Sequence, residues 1–381
     1  MTNGRAAHRM RRRADGGNSM ITCGFIGLGL IGGSIARALK KNREDIRILA
    51  CDPNPQTRSL ALSQLVADEA LEAPGEALFD CDFVFLCAPV SCNGENLEKI
   101  LPYLKESCIL TDVGSVKTPI YRQVQSMGLT DRFIGGHPMT GSERVGFANS
   151  KASLLENAYY IMTPAPDVPE QKVEQFRQLV LSTGAILLQI DCERHDYVTA
   201  AVSHLPHIIA SSLVNLVKGH DDNGLMKAIA AGGFKDITRI ASSSPVMWQQ
   251  ICLTNTDNIR SLLQDYIDAL ETVKGELDRR DADSLYGFFD GARLYRESFV
   301  DASSGPIKKA YTIRVTIPDE TGSLAEVATL LASNSISIKN IGISHNREAE
   351  EGVLIIEFYE QAAIDKAVAL LTGQNFEVAL R

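Results

Sequence analysis

Three patterns in the sequence predict an α/β protein: a doubly wound domain over residues 20–190, an all-helical domain over 191–300 and a small βαββαβ domain over 311–381. The first pattern is a glycine turn between a strand-like and a helix-like run near residue 27. The second is a switch after Asp191 from short apolar runs to long helical stripes. The third is a return to alternating strands and helices after the linker-like stretch 301–310, which contains Ser303, Ser304, Gly305 and Pro306.

Phe25-Ile26 leads into the glycine turn, and Ile31, Ile35 and Leu39 leave it with helical spacing. Gly27, Gly29 and Gly32 have the G-x-G-x-x-G spacing of a Rossmann-type unit. There the first glycine makes the turn, the second lets a pyrophosphate approach, and the third packs helix on strand. Leu28, Leu30 and Ile31 complete the loop, and the helix that follows offers unpaired N–H groups to phosphate. Ile46–Ala50 reads as the next strand and ends at Asp52, placed where a carboxylate accepts from ribose hydroxyls. The cofactor expected is NAD, because that carboxylate would repel the extra phosphate of NADP and the nearest following arginine in sequence is Arg58.

The doubly wound pattern then continues. Asp82–Val90 is an unbroken apolar run, as in a parallel strand covered on both faces, and brings Ala88 and Pro89 to the carboxyl edge where such sheets bind ligands. Ile109–Val113 precedes Gly114-Ser115-Val116-Lys117, and Phe133-Ile134 leads into Gly135-Gly136-His137-Pro138 and on to Ser142-Glu143. Strands over Tyr159–Thr163 and Ala185–Ile190, with a helix over Glu170–Ser182 between them, complete the domain.

Beyond Asp191, the run His195–Val217 contains Ser203-His204-Leu205-Pro206-His207. Ser203 and His207 share a helix face, and Pro206 is expected to kink the helix. Ile259, Leu262, Leu263, Tyr266, Ile267, Leu270, Val273 and Leu277 form a second helical stripe. So much apolar helical surface points to a dimerising domain and a homodimer. In the last domain Tyr311, Ile313, Val315 and Ile317 alternate with polar residues as in a half-buried strand. The order βαββαβ is the ferredoxin-like arrangement.

Composition narrows the function. Charged residues make up 22% and hydrophobic residues 45%, as in ordinary globular proteins, and a net charge of −9 argues against nucleic acid as the main partner. No apolar run in the sequence reads as long enough to span a bilayer. The eight cysteines are scattered without a C-x-x-C pair, which suggests reduced thiols in a cytoplasmic protein and no metal site. Residues 1–19 carry Arg5, Arg9, Arg11, Arg12 and Arg13 and lack the apolar core of a secretory signal; a disordered leader is expected.

Four constellations join the glycine loop: Gly114-Ser115, Gly136-His137-Pro138, Ser203 through His207, and Gly232-Gly233-Phe234-Lys235-Asp236-Ile237-Thr238-Arg239. In their order and spacing over residues 20–300 they resemble the prephenate/arogenate dehydrogenase family of tyrosine biosynthesis. Residues 311–381, with the turn Asp319–Leu324, resemble an ACT domain, an amino-acid-sensing module. The resemblance implies NAD-dependent oxidative decarboxylation of prephenate to 4-hydroxyphenylpyruvate, feedback-inhibited by tyrosine through the ACT domain. It makes His137 the catalytic base and Ser115 the residue that hydrogen-bonds this histidine and the substrate hydroxyl. It also makes Arg239 a carboxylate clamp, Ser203 and His207 contacts to the pyruvyl end, and Ser142 with Glu143 part of the substrate pocket. His204 and Trp248 are expected to be structural. His207, as a donor, would favour prephenate over arogenate. The alternatives are an arogenate or dual-specificity cyclohexadienyl dehydrogenase, and a catalytically silent nucleotide or amino-acid sensor.

Overall fold

The structure, a computed structural model, describes residues 20–88, 92–141, 144–301, 311–318, 320, 322–345 and 351–380. Pro89, Ser142, Glu143, the expected leader 1–19 and linker residues 302–310 lie outside the described residues. The chain divides into two compact units, one through Ala282 and one from Asp283 to Arg381.

In the first unit β1 (Ile21–Ile26) feeds α1 (Leu30–Asn42), followed by β2 (Ile46–Cys51), α2 (Pro55–Ser63) and β3 (Glu69–Leu71). Next come β4 (Phe83–Leu86), α3 (Asn93–Ile100), β5 (Ile109–Asp112) and α4 (Thr118–Ser126). The five strands pair in parallel in the order β3-β2-β1-β4-β5. The order reverses between β1 and β4, so the ligand crevice lies at their carboxyl ends, where Gly27 and Ala88 follow. Local chemistry sets the start of α2: Asn54 accepts from Gln56 N–H and Pro55 opens the helix. Two buried clusters cover the sheet, one around Ile26, Val84 and Leu110 and one in which Phe25 stacks on Phe85 at 4.8 Å between ring centroids. The expected strand over 82–90 stops at Leu86, and the short β3 was not legible, because Glu69-Ala70-Leu71 has no apolar alternation.

A second sheet continues this one. β6 (Ile134–Pro138) runs antiparallel to β7 (Tyr159–Pro164), which pairs in parallel with β8 (Ile186–Gln189); α5 (Glu170–Leu181) lies between the last two in sequence. A single bridge from Leu110 to Phe133 ties β6 to β5. His137 therefore sits on a strand beside the end of β5, and not in a loop.

The helical part opens with α6 (Cys192–Thr199), capped by Asp191, which accepts from Arg194 N–H. A π-helical turn over Ala200–His204 joins it to α7 (Leu205–His220). Pro206 lacks the N–H that would bond back one turn, and the chain answers with a wider turn at Ser203-His204 where a kink was expected. The resulting helical run Cys192–His220 is 29 residues long with hydropathy 1.4 in its most apolar window, so an element of spanning length and composition does exist. The expectation of no such run is corrected. Its buried face, however, carries His195, Asp196 and His204, which are hydrogen-bonded to protein groups. α8 (Leu225–Ile229), α9 (Gly232–Thr238), α10 (Pro245–Thr254) and α11 (Thr256–Arg279) follow. Leu216, Ile229, Leu253, Leu270 and Leu277 are exposed on these helices.

The second unit begins in α12 (Ala282–Asp301), which runs to the first residue of the expected linker. It continues with β9 (Tyr311–Pro318), α13 (Ser323–Ser333), β10 (Ile338–His345), β11 (Glu351–Phe358), α14 (Gln361–Gly373) and β12 (Glu377–Leu380). The sheet order β10-β11-β9-β12 is antiparallel throughout, the ferredoxin-like topology expected. Ile313, Val315, Val327, Leu331, Leu354, Ile356 and Leu371 form its core, each buried side chain contributing about 1.5–3 kcal/mol.

Candidate active site

The glycine loop is built to admit a phosphate. Gly27 has φ +83°, and a Cβ there would sit 3.0 Å from the backbone N of Ala88, so the turn tolerates only glycine. A Cβ on Gly29 would meet nothing within 4 Å. That open position faces the start of α1, whose N-cap has no side-chain hydrogen bond and whose first turn has no acidic residue. The N–H groups there remain available to an anion. Asp52 lies beside the loop: Oδ2 accepts from Leu28 N–H at 2.8 Å and Oδ1 from Asn54 N–H at 2.9 Å. These residues fit a dinucleotide. Arg58 is nearer than sequence spacing suggests, since its guanidinium donates to the Asp52 and Pro53 carbonyls at 2.8 and 2.9 Å and lies 3.5 Å from Glu72. It is thus committed to protein groups.

His137 is held from two sides. Gly136 lets β6 close on its neighbours, because a Cβ there would lie 2.8 Å from the Asp112 carbonyl oxygen. The Lys117 ammonium, fully buried, donates to the Asp112 carboxylate and to the Gly136 carbonyl oxygen, the latter at 2.6 Å. Burial drives the Lys117 pKa down, against the pull of Asp112. His137 Nδ1 lies 2.8 Å from His195 Nε2, and His195 Nδ1 lies 2.8 Å from Asp196 Oδ1. Asp196 also accepts the backbone N–H of Lys117 at 2.7 Å and of Thr118 at 2.8 Å. Burial pushes the His137 pKa well below its usual value, and the neighbouring His195 and Lys117 push the same way.

No hydrogen bond between Ser115 and His137 is found among the described residues, and Nδ1 of His137 faces His195. Ser115 sits half-buried in the β5–α4 loop. The helical side brings Ser203, His207, Trp248 and Arg239 together. His207 Nδ1 donates to the Ser203 carbonyl at 2.9 Å, and its ring stacks on Trp248, which packs against the site. Arg239 begins the turn after α9, and its charge helps to lower the His207 pKa after burial has done so. His204 is fully buried, with Nδ1 3.2 Å from Asn255 Nδ2, and Asn255 also donates to the Asp196 carbonyl oxygen at 2.7 Å. Ala88 stands at the crevice, while Pro89, Ser142 and Glu143 lie outside the described residues. Lys117, His195, Asp196 and Asn255 were not singled out from sequence. The only signal was a His-Asp pair opening an otherwise apolar helix.

Comparison with known proteins agrees with this geometry. Residues 35–189 match the family described as prephenate dehydrogenase, nucleotide-binding domain, and residues 191–290 match prephenate dehydrogenase, dimerization domain. The prephenate dehydrogenase of Bacillus subtilis is 38% identical over 336 residues, 87% of this chain and 90% of the relative. That of Lactococcus lactis is 33% identical over 351 residues, 90% of this chain and 95% of the relative. Among solved structures, prephenate dehydrogenase from A. aeolicus, in complex with hydroxyphenyl propionate and NAD+, superposes with a TM-score of 0.69 at 31% identity. It covers 74% of this chain and 99% of its own. With its glycine loop, its buried histidine on β6 and its helical domain accounted for, the chain belongs to the prephenate dehydrogenase family of NAD-dependent oxidoreductases.

Proposed function

We propose that this protein oxidatively decarboxylates prephenate to 4-hydroxyphenylpyruvate with His137 as the base. The observation that carries the reading is a buried histidine whose Nδ1 is fixed, leaving Nε2 for the substrate hydroxyl. NAD+ supplies the hydride acceptor. His137 Nε2 removes the proton of the ring hydroxyl as the hydride leaves the same carbon. The carbonyl so formed withdraws the electron pair of the ring–carboxylate bond, CO2 departs, and the ring becomes a phenol on regaining a proton. Aromatisation provides the driving force, so the protein's part is orientation and proton removal, a positioned base typically contributing roughly 10²–10⁴ in rate. Burial suits this role, since a neutral imidazole is the form that accepts.

Ser115 is assigned to the substrate hydroxyl, at the Nε2 side of His137. Arg239 is assigned to a substrate carboxylate, which its planar guanidinium can bind bidentately. Ser203 and His207 are assigned to the pyruvyl end, and Ser142 and Glu143 to the pocket rim. Gly27 through Gly32, Asp52, Ala88 and Pro89 are assigned to NAD. The exposed apolar helix faces and the family's dimerization domain support a homodimer, and the free thiols, half of them buried, suit a cytoplasmic enzyme.

Regulation by tyrosine through residues 311–381 as an ACT domain belongs to the same proposal. The ferredoxin-like topology supports it. So does the extent of the Bacillus subtilis match, which is too long to end before residue 300. Arogenate is the second substrate to consider, because a neutral His207 presents a lone pair at Nε2 that could accept from an ammonium. The deciding assay offers prephenate and arogenate separately to the pure protein with NAD+ and follows NADH. Prephenate should be the faster substrate, and a protein that turns over neither would overturn the reading.

A further inference from the structure

We infer that His195 and Asp196 are positioning residues that fix the tautomer of His137 and take up the charge it acquires. The argument runs from the far end of the chain of contacts. Asp196 receives three N–H groups: from His195 Nδ1 at 2.8 Å, Lys117 N at 2.7 Å and Thr118 N at 2.8 Å. Burial pushes the carboxyl pKa up, but the hydrogen bonds from His195, Thr118 and Lys117 outweigh it and hold it below the usual range. An ionised carboxylate only accepts, so the proton of His195 is on Nδ1.

The rest follows by exclusion. Burial lowers the pKa of His195, so the ring is neutral and Nε2 carries its lone pair. That lone pair lies 2.8 Å from His137 Nδ1, which must then be the donor. His137 is left with a bare Nε2. Both rings are thereby held in the Nδ1–H tautomer, the less common form of a neutral imidazole in water. Without the relay, His137 would favour a proton on the very nitrogen that must accept one. The relay also accommodates the product of the step. When Nε2 takes the substrate proton, the Nδ1 proton can pass to His195 Nε2, and the imidazolium then lies against the Asp196 carboxylate. One O–H bond breaks, two N–H bonds form and one N–H bond breaks, and Asp196 stays ionised throughout.

Asn255 steadies the arrangement by donating to the Asp196 carbonyl at 2.7 Å, and Thr199 Oγ1 donates to the His195 carbonyl at 2.9 Å. His195 and Asp196 are each at most 1% exposed, so neither meets solvent that could offer a competing partner.

The inference rests on reading His137 as the base, and its test separates the two. The full-length enzyme carrying ¹⁵N-labelled histidine is examined by long-range ¹H–¹⁵N correlation, with signals assigned by His137→Asn and His195→Gln. Both rings are expected as Nδ1–H, with Nε2 in the unprotonated region of the spectrum. A proton on Nε2 of His137 overturns the inference whatever the kinetics. Asp196→Asn should reverse every bond in the relay and place that proton there, lowering kcat by about 10²–10⁴-fold while KM for prephenate changes little. Because Asp196→Asn also disturbs two backbone N–H groups, His195 provides the second arm. His195→Phe removes the acceptor, whereas His195→Gln keeps an oxygen able to accept from Nδ1–H and should recover at least about tenfold in kcat. Equal losses in the two variants, or losses shared between kcat and KM, would reduce His195 to a packing residue. Near wild-type turnover in His137→Asn would instead sink the base assignment and leave the tautomer result standing.

Discussion

His207 lies on the face of Trp248, with ring centroids 3.6 Å apart and planes 25° from parallel, while its Nδ1 donates to the Ser203 carbonyl. The stack and the hydrogen bond together fix which nitrogen can meet a substrate. A neutral His207 presents an acceptor at Nε2; only the imidazolium presents a donor. The sequence-based argument that His207 donates to the prephenate ketone therefore holds for the protonated ring alone.

A pH-dependent specificity follows. Burial lowers the His207 pKa from 6.5; the Ser203 carbonyl partly restores it, and Arg239 lowers it again. Above that pKa the ring is neutral and tolerates an ammonium; below it the ring is cationic, repels one and donates to a ketone or carboxylate. The ratio of kcat/KM for prephenate over arogenate should therefore rise as pH falls through and below 6.5, and the rise should vanish in His207→Gln. Measuring both substrates from acid to mildly alkaline pH checks this. A ratio that is flat with pH in the wild type would disprove it.

His137→Asn should lower turnover by roughly 10²-fold or more, with prephenate binding nearly intact, as expected for loss of a base. Arg239→Ala should act differently, raising KM more than it lowers kcat, because a carboxylate clamp holds the ground state and transition state alike. Steady-state kinetics on the two variants tests the division. A KM effect for His137→Asn with kcat preserved would reassign the base.

Much of this was legible in the sequence, and the reason is local chemistry. Gly27, Gly29 and Gly32 shape a backbone turn, and Asp52 follows them at a set spacing, both of which a sequence displays directly. The alternation of Tyr311, Ile313, Val315 and Ile317 displayed β9 in the same way. The relay was hidden because it joins β6 to α6, with His137 and His195 far apart in sequence and a neighbouring Asp196 that reads as one more helix-start acid. The second contact of His137 was hidden for the same reason: Ser115 is nearer in sequence, whereas the group at Nδ1 is His195, 58 positions away. Arg58 is the nearest following arginine on chain order, and the first turn of α2 folds it back onto the Asp52 carbonyl.

Lys117 should matter for stability before it matters for catalysis. Its ammonium is buried against Asp112 and the Gly136 carbonyl. Lys117→Met keeps the apolar stem but leaves an unpaired buried carboxylate, which costs about 3–5 kcal/mol. A fall of roughly ten degrees in melting temperature is expected. Adding Asp112→Asn to Lys117→Met should recover part of the loss by removing the stranded charge. Thermal unfolding of the three proteins measures both steps, and a shift of a degree or less in the single variant would refute the buried pair's role.

Asp52 should make the enzyme prefer NAD+ over NADP+. Its carboxylate lies beside the glycine loop, accepting from Leu28 N–H, and Arg58, the cation that could welcome a second phosphate, is held by two carbonyls and Glu72. Asp52→Ala should narrow the preference, mainly by weakening NAD+ and relieving repulsion of NADP+. Comparing the two cofactors at equal concentration suffices. Equal or better turnover with NADP+ in the wild type would sink this reading.

The βαββαβ module offers the final test. Gly322 caps α13 with φ +108°, a conformation open to glycine at little cost, and so shapes the turn that follows β9. If tyrosine binds beside that turn and inhibits, it must bind the low-activity arrangement better than the active one, and a tenfold shift needs only about 1.4 kcal/mol of difference. Truncation after Ser304 removes the module and leaves α12 in place. The shortened enzyme should keep its activity on prephenate and become at least about tenfold less sensitive to tyrosine. Inhibition curves for the full and shortened proteins, at fixed prephenate and NAD+, give the answer. Unchanged inhibition after truncation would mean that tyrosine acts as a product-like competitor for the site around His137 and Arg239, and the regulatory role of residues 311–381 would fall.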